Sequence, residues 1–373
     1  MTPRLRMEVT AREGAARAGT LHTPRGTVTT PCFMPVGTKG AVRHLSADDL
    51  VALGAQIVLG NTYHLMLKPG PEVIGALGGL HGFTGWDGHL LTDSGGYQVF
   101  SLDPGGNVRL DDDGVTFRST YDGGTHRLTP EIAVDLQTTF GSDLQMVLDV
   151  CSQLPATEAQ LRLAVDRTAD WAARARRHFE AKERADLTQL GIVQGGTDVA
   201  LRVESAQRTV AIGFDGYAVG GLSVGESRDE MLAALAPTLA HLPQDQPRYL
   251  MGLGDPIGML ESIALGIDLF DCVLPTRFAR HGTILTSTGR YNLKRAENAA
   301  ADEPLDASCP CPVCKRYSRA YLRHLLVVDE PTAPRLLTLH NVAWTFDLVA
   351  QARAAIVAGT LVDLRSRIAA AYG

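Results

Sequence analysis

Three cysteines stand at C-x-C-x2-C spacing in the run Ser308-Cys309-Pro310-Cys311-Pro312-Val313-Cys314, while Cys32, Cys151 and Cys272 lie far apart. Thiolates this close are spaced as metal ligands, and Zn2+ suits them. A structural zinc takes four ligands, so one more donor must come from elsewhere, and His324 and His340 stand downstream. Adjacent cysteines at this spacing pair poorly as a disulfide. Four protein ligands would close the ion off from substrate. The chemistry is therefore expected in the larger body that precedes the cluster.

That body carries three carboxylates, each after a short apolar run: Asp93 beyond Leu90-Leu91, Asp149 beyond Met146-Val147-Leu148, and Asp271 beyond Leu269-Phe270. Taken singly, such an aspartate often caps the next helix or pairs with an arginine. With Gln194 at a fourth run's end, they describe a polar mouth lined with acceptors. Gly95, Gly96, Gly195, Gly196, Gly220 and Gly221 would let a flat ligand approach backbone N–H groups. Tyr97 and Met251 could stack on a planar base. Asp93 and Asp271 could divide labour as in retaining glycosidases, one attacking an anomeric carbon and the other protonating the leaving group across about 5 Å. Cys272 is expected on the opposite side of its strand as a small buried apolar residue, and His64 as a packing histidine.

The elements that must position these groups repeat. Seven short runs lead into a glycine or polar group: 56–59, 90–91, 146–148, 190–193, 217–219, 249–250 and 269–270. Helical segments lie between several of them. Thr157 with Gln160 forms a capping box, followed by Leu161, Ala164, Val165, Thr168 and Ala172 on one face. Ser46 opens a helix that stops at Gly54, and Thr129-Pro130-Glu131 opens another with proline at its first position. Short buried strands alternating with helices predict an α/β fold with a parallel sheet, here a (β/α)8 TIM barrel whose polar strand ends converge on the C-terminal mouth. Residues 1–35 read as an antiparallel N-terminal cap, with its third strand from Val28 to Phe33. Residues 107–128 read as a second β addition, its turns at Asp111–Gly114 and Asp122–Gly124. A zinc-binding insertion is expected over 281–345 and closing helices over 346–373, all within a single barrel domain of 1–373.

A chain of 373 residues with 45% apolar content can fill such a barrel and bury roughly three quarters of its unfolded surface. No signal peptide or membrane-length apolar run is apparent, and the scattered thiols point to a reducing cytoplasm. The net charge of −6 argues against nucleic acid until its distribution is examined. Between Arg277 and His324 nine basic residues face four acids, so this segment is +5 and the remainder −11. A basic module on an acidic body is the footprint of a polyanion held at one place.

Several segments carry a resemblance: Gly60–Gly70 (GNTYHLMLKPG), Thr92–Leu102 (TDSGGYQVFSL), Gly220–Glu226 (GGLSVGE), Tyr249–Gly254 (YLMGLG) and Phe270–Arg277 (FDCVLPTR), with the cysteine cluster. Together they closely resemble the bacterial tRNA-guanine transglycosylase (queuine tRNA-ribosyltransferase) family, almost end to end. The resemblance implies exchange of the wobble guanine of tRNAs with GUN anticodons for preQ1, without a nucleotide cofactor. It implies Asp271 as nucleophile on ribose C1′ and Asp93 as general acid–base. It further implies a base site of Ser94, Gly95, Gly96, Tyr97, Asp149, Gln194, Gly221, Leu222 and Met251, the Leu222 carbonyl accepting from the preQ1 aminomethyl group. Gly252, Thr276, Arg277 and Arg280 would contact tRNA. Cys309, Cys311, Cys314 and His340 match the ligands of one structural Zn2+ per subunit, leaving His324 on a helix surface. A homodimer is implied as well. Val150 and Asp255 depart from residues common in the family, whereas Cys151 and Val224 suit a small preQ1-type pocket. A retaining hydrolase acting on a free sugar shares the two carboxylates, but it leaves the basic module unexplained, and three tryptophans are few for sugar stacking.

Overall fold

Each of the seven polar-ended runs overlaps a strand, and an eighth strand joins them. The computed structural model describes residues 4–101 and 108–373. An antiparallel sheet comes first, β1 (Arg6–Glu13), β2 (Ala16–Thr23) and β3 (Gly26–Thr30). Then follow β4 (Cys32–Gly37), β5 (Ile57–Gly60) and β6 (His89–Thr92). A second antiparallel sheet, β7 (Arg109–Leu110), β8 (Val115–Arg118) and β9 (Thr125–Leu128), interrupts the series; the expected β addition is described from residue 108 onward. After it come β10 (Leu144–Met146), β11 (Thr188–Val193), β12 (Gly216–Val219), β13 (Arg248–Leu250) and β14 (Leu269–Cys272). Strands β4, β5, β6 and β10 to β14 pair in parallel and close into an eight-stranded barrel, with helices between them. Its strands are buried on both faces, which explains their continuous apolar runs.

The structure divides the stretch expected as one cap strand, Val28 to Phe33. β3 ends at Thr30, and β4 begins at Cys32, where Phe33 pairs with Phe270 of β14. Pro31 between them has no N–H to give a ladder, so the antiparallel sheet stops there and the chain enters the barrel.

Helix starts follow their local chemistry. Ser46 and Asp49 form a reciprocal capping box, and Gly54 ends that helix at φ 79°. Thr157 and Gln160 form another at the helix Glu158–Glu180, whose buried face includes Leu161, Ala164, Val165, Thr168 and Ala172. Thr129 caps the helix Pro130–Phe140.

The floor of the barrel is tied by arginines. Asp143, Asp215 and Asp268 immediately precede or adjoin β10, β12 and β14, and all three are buried. Arg25 bonds Asp143, the Arg4 backbone and Arg176 bond Asp215, and Arg17 bonds Asp268. Arg17 and Asp268 are fully buried, and Arg17 spends its remaining donors on the carbonyls of Gln244 and Gln246 at 2.7 and 2.9 Å. The N-terminal segment is thus locked under the barrel, away from its mouth.

Beyond β14, the helix Leu274–Arg280 leads to a hairpin of β15 (Thr283–Thr286) and β16 (Gly289–Asn292), then the cysteine run. One continuous helix, Thr332–Ala358, spans the boundary expected at 345/346 and carries His340 in its first third. Beside it, Asn341 donates to the carbonyls of Pro275 and Thr283 and accepts from the Leu285 N–H. This one side chain fixes the helix against the segment that follows Asp271. Among the described residues, no helix is long and apolar enough to cross a membrane.

Candidate active site and metal cluster

The C-terminal ends of the barrel strands surround a cavity of about 280 Å3. Asp93, Asp149 and Asp271 all line it, together with Ser94, Tyr97, Gln194, Gly221, Leu222, Met251 and Gly252. The three carboxylates from β6, β10 and β14 therefore face one space, as strand ends of a barrel must.

Their surroundings differ. Asp93 is buried and accepts four hydrogen bonds: Oδ1 from the N–H groups of Thr62 (2.8 Å) and Gly95 (3.1 Å), Oδ2 from the amides of Asn61 and Gln98 (2.8 Å). Burial still pushes its carboxyl up to about 6 against the pull of those donors. Asp149 is also pushed up to about 6 by burial, with the Gln194 amide at 2.6 Å pulling the other way and the charge of Asp93 adding to the rise. Each can hold or release a proton near neutral pH, as a general acid–base requires.

Asp271 is arranged otherwise. Both of its hydrogen bonds fall on Oδ1, from the Tyr249 hydroxyl (2.6 Å) and the Gly252 N–H (2.7 Å). Oδ2 keeps its lone pairs toward the cavity. Burial raises this carboxyl, and the two donors restrain the rise. A carboxylate held by one oxygen and free at the other is geometrically fit to be a nucleophile. Cys272 beside it is buried, as expected, but it also lines the cavity, because the strand ends there and the chain turns. Burial pushes the thiols of Cys272 and Cys151 up to about 12, so both are neutral wall groups.

The walls suit a flat ligand. Tyr97 is 50% exposed at the rim, and Met251 is half-buried. Ser94 is buried and accepts from the Gly96 N–H, which opens the helix Gly96–Ser101; Gly95 lies against the Tyr63 backbone at φ 85°. The Ser223 N–H donates to Glu226, and the Val224 N–H does so at 3.0 Å. In a trans peptide the carbonyl points opposite the N–H, so Glu226 turns the Leu222 carbonyl away from itself.

The cysteine cluster is completed by the long helix. The donor atoms of Cys309, Cys311, Cys314 and His340 lie within 4.8 Å of one another. His340 Nε2 donates to the Leu285 carbonyl at 2.8 Å, which leaves Nδ1 facing Cys314 Sγ at 3.2 Å and Cys311 Sγ at 3.6 Å. A ring fixed by its second nitrogen presents the first as a ligand. Three thiols and an imidazole fit a four-coordinate metal ion. His324 is exposed on the helix Arg319–Val327 and takes no part.

The profile of the queuine tRNA-ribosyltransferase family (TGT) matches residues 12–373. The chain belongs to that family. It is 50% identical to the queuine tRNA-ribosyltransferase of Solidesulfovibrio magneticus over 96% of both chains. It is 49% identical to that of Nitratidesulfovibrio vulgaris, over 98% of this chain and 96% of the relative, and 46% identical to that of Lawsonia intracellularis over the full length of both. Membership of the queuine tRNA-ribosyltransferases makes the protein a glycosyltransferase-type enzyme.

Most of the basic segment is unneutralised. Of its nine Lys and Arg, only Arg295 and Arg319 reach a carboxylate among the described residues. Arg277 is exposed, and Arg280 is half-buried with Arg43 and Arg277 as like-charged neighbours. Thr276 is buried, its hydroxyl donating to the Val273 carbonyl. His64 bonds the Tyr121 hydroxyl at 2.9 Å, outside the cavity wall. Asp255 caps the helix Pro256–Ala264 and reaches Arg228 at 3.5 Å, and Val150 is buried, so both family departures have local structural roles. Sequence reasoning missed Asn61, Gln98, Tyr249, Glu226 and Arg202. The first four stood inside quoted motifs next to residues that were singled out.

Proposed function

We propose that the protein replaces guanine at wobble position 34 of GUN-anticodon tRNAs (Asp, Asn, His and Tyr) with preQ1, in queuosine biosynthesis, through a covalent aspartyl-ribosyl intermediate. The observation that carries this reading is the asymmetric Asp271, bonded through Oδ1 and free at Oδ2, in one cavity with a buried Asp93. The cavity sits near the lower end of the roughly 300–1,000 Å3 typical of ligand sites, the scale of a single base. A base in an anticodon loop is unpaired and is cheaply flipped into it.

Asp271 Oδ2 attacks C1′ of the ribose as the C1′–N9 bond breaks, and Asp93 in its acid form gives its proton to the departing guanine. PreQ1 then enters, Asp93 takes its N9 proton, and N9 attacks C1′ to release Asp271. The Gln98 amide supports both states of Asp93. Its Oε1 is buried without a partner while Nε2 bonds Asp93, so a half-turn of the amide would offer an acceptor to the acid form. Asp149, Gln194 and the Gly221 N–H read the base edge, the Leu222 carbonyl accepts from the aminomethyl group, and Ser94 to Gly96, Tyr97 and Met251 shape the slot. Gly252, Thr276, Arg277 and Arg280 engage the RNA beside it. The cysteine–histidine cluster holds a structural Zn2+ that fixes the basic module next to the mouth. The enzyme works as a homodimer in the cytoplasm.

Incubation with radiolabelled guanine and unmodified tRNA(Tyr) tests the reading through label in acid-precipitable RNA. Label enters with the unaltered protein and not with Asp271→Ala. Release of sugar without incorporation would instead mark a hydrolase, and binding without incorporation a non-catalytic tRNA-binding subunit.

A further inference from the structure

Arg202, near the start of the helix Val199–Ile212, is fully buried, yet no carboxylate lies within ion-pair distance of it among the described residues. All of its hydrogen bonds go to backbone carbonyls. Nε donates to Gly196 (2.7 Å), Nη1 to Val193 (3.2 Å) and Gly220 (2.8 Å), and Nη2 to Gly221 (3.1 Å). These four carbonyls belong to two neighbouring strand ends, those of β11 and β12, which carry Gln194 and Gly221 into the cavity. Burying a guanidinium with no carboxylate in contact, only the Glu226 charge at longer range, is costly, and an apolar side chain would pack the same space more cheaply. What only the guanidinium supplies is a rigid planar fork of donors that sets several carbonyls at once.

The direction of those carbonyls has a consequence. A trans peptide points its N–H opposite its C=O. Arg202 holds the Gly220 carbonyl from behind the cavity wall, so the Gly221 N–H faces the other way, on the side where Cys151 lines the cavity. A thiol is a weak acceptor, so this donor passes readily to a ligand oxygen. Gly221 adopts φ 64°, and a Cβ there would fall 2.3 Å from Gln194 Oε1, so the turn and the Gln194 amide are set together.

We propose that Arg202 is the positioning residue of the base pocket: by gripping both strand ends it presets the Gly221 N–H and the Gln194 amide as a fixed reading edge for a purine-like ring. This rests on the base-exchange reading above, and the test separates the two. Arg202→Met keeps much of the bulk and removes every donor, and Arg202→Lys keeps the charge and loses the fork. Guanine binding by calorimetry, KM for guanine and for tRNA, kcat, and amide exchange by mass spectrometry are measured on the full chain. Arg202→Met is expected to weaken guanine binding and raise its KM about tenfold or more, with kcat falling less and KM for tRNA unchanged. Arg202→Lys should fall between, and it carries the test if the Met variant does not fold. Segments 193–202 and 216–226 should lose amide protection while β4 to β6 keep theirs. Guanine affinity and local protection equal to the unaltered protein in the folded variants would overturn the proposal, as would equal losses toward guanine and tRNA. Label failing to enter tRNA with the unaltered protein, while Arg202 variants still lose guanine binding, would sink the exchange reading and leave Arg202's role standing.

Discussion

Replacing Tyr249 by phenylalanine removes a single hydroxyl from the described site. The ring is fully buried and stays packed, so the change is confined to the 2.6 Å bond to Asp271 Oδ1. A hydrogen bond to a charged group contributes about 1.5–3 kcal/mol. The Gly252 N–H at 2.7 Å still serves the same oxygen, so the lower end applies, and about 1.5 kcal/mol is roughly tenfold in rate. The sign follows from the same bond. It pulls the Asp271 carboxyl down against burial, so its loss lets the carboxyl rise, and the ionised form of the proposed nucleophile disappears first on the acid side. In the proposed exchange the carboxylate would also be a poorer leaving group when preQ1 displaces it. Single-turnover incorporation of labelled guanine between pH 5 and 8 should show the acid limb of the Phe variant moved to higher pH, with about a tenfold loss below it. Melting temperature and metal content should be unchanged. An acid limb and rate matching those of the unaltered enzyme at every pH would refute the assignment of Asp271 as the nucleophile poised by Tyr249.

Arg277→Ala and Arg280→Ala should each raise KM for tRNA and flatten its dependence on salt, with guanine affinity unchanged, as filter binding across a salt series would record. Because the acid form of Asp93 declines as pH rises through about 6, guanine release should slow above that pH, and Asp93→Asn should abolish turnover in the incorporation assay. Arg17→Met leaves the Asp268 carboxylate buried without its partner, a loss of about 3–5 kcal/mol in urea unfolding at pH 7. That loss should shrink at lower pH, since burial already raises Asp268 and a protonated carboxyl needs no cation. Cys311→Ser should lower bound metal and tRNA affinity together, measured by metal analysis and filter binding.

The barrel and its mouth were legible because a parallel strand buried on both faces writes itself as an apolar run, and its C-terminal end announces the first polar residue. Asp93, Asp149, Gln194 and Asp271 were found that way. β4 was not, because β-prone residues flank Pro31 on both sides and the pattern runs through it. The fourth metal donor could not be chosen by spacing, since His324 and His340 both follow the cysteines; the family resemblance favoured His340, and the long helix brings it to the thiols. Arg202 left no signal at all. An arginine one position after a buried leucine on a helix reads as solvated, and only the barrel's closure shows that this face turns inward. Tyr249 reads as a core aromatic in a strand, and its hydroxyl acquires meaning only when β14 is laid beside β13.

The Arg17–Asp268 bond joins residues 251 apart in sequence. During synthesis the first strands leave the ribosome long before the aspartate that seats them exists. Asp143 and Asp215 are made earlier and can meet Arg25 and Arg4, but until residue 268 emerges Arg17 has no counter-ion waiting beneath the nascent sheet. The antiparallel ribbon is thus seated beneath the barrel only as its last parallel strand is made, and Arg353, later still, closes over the ribbon through the carbonyls of Gly19 and Thr30.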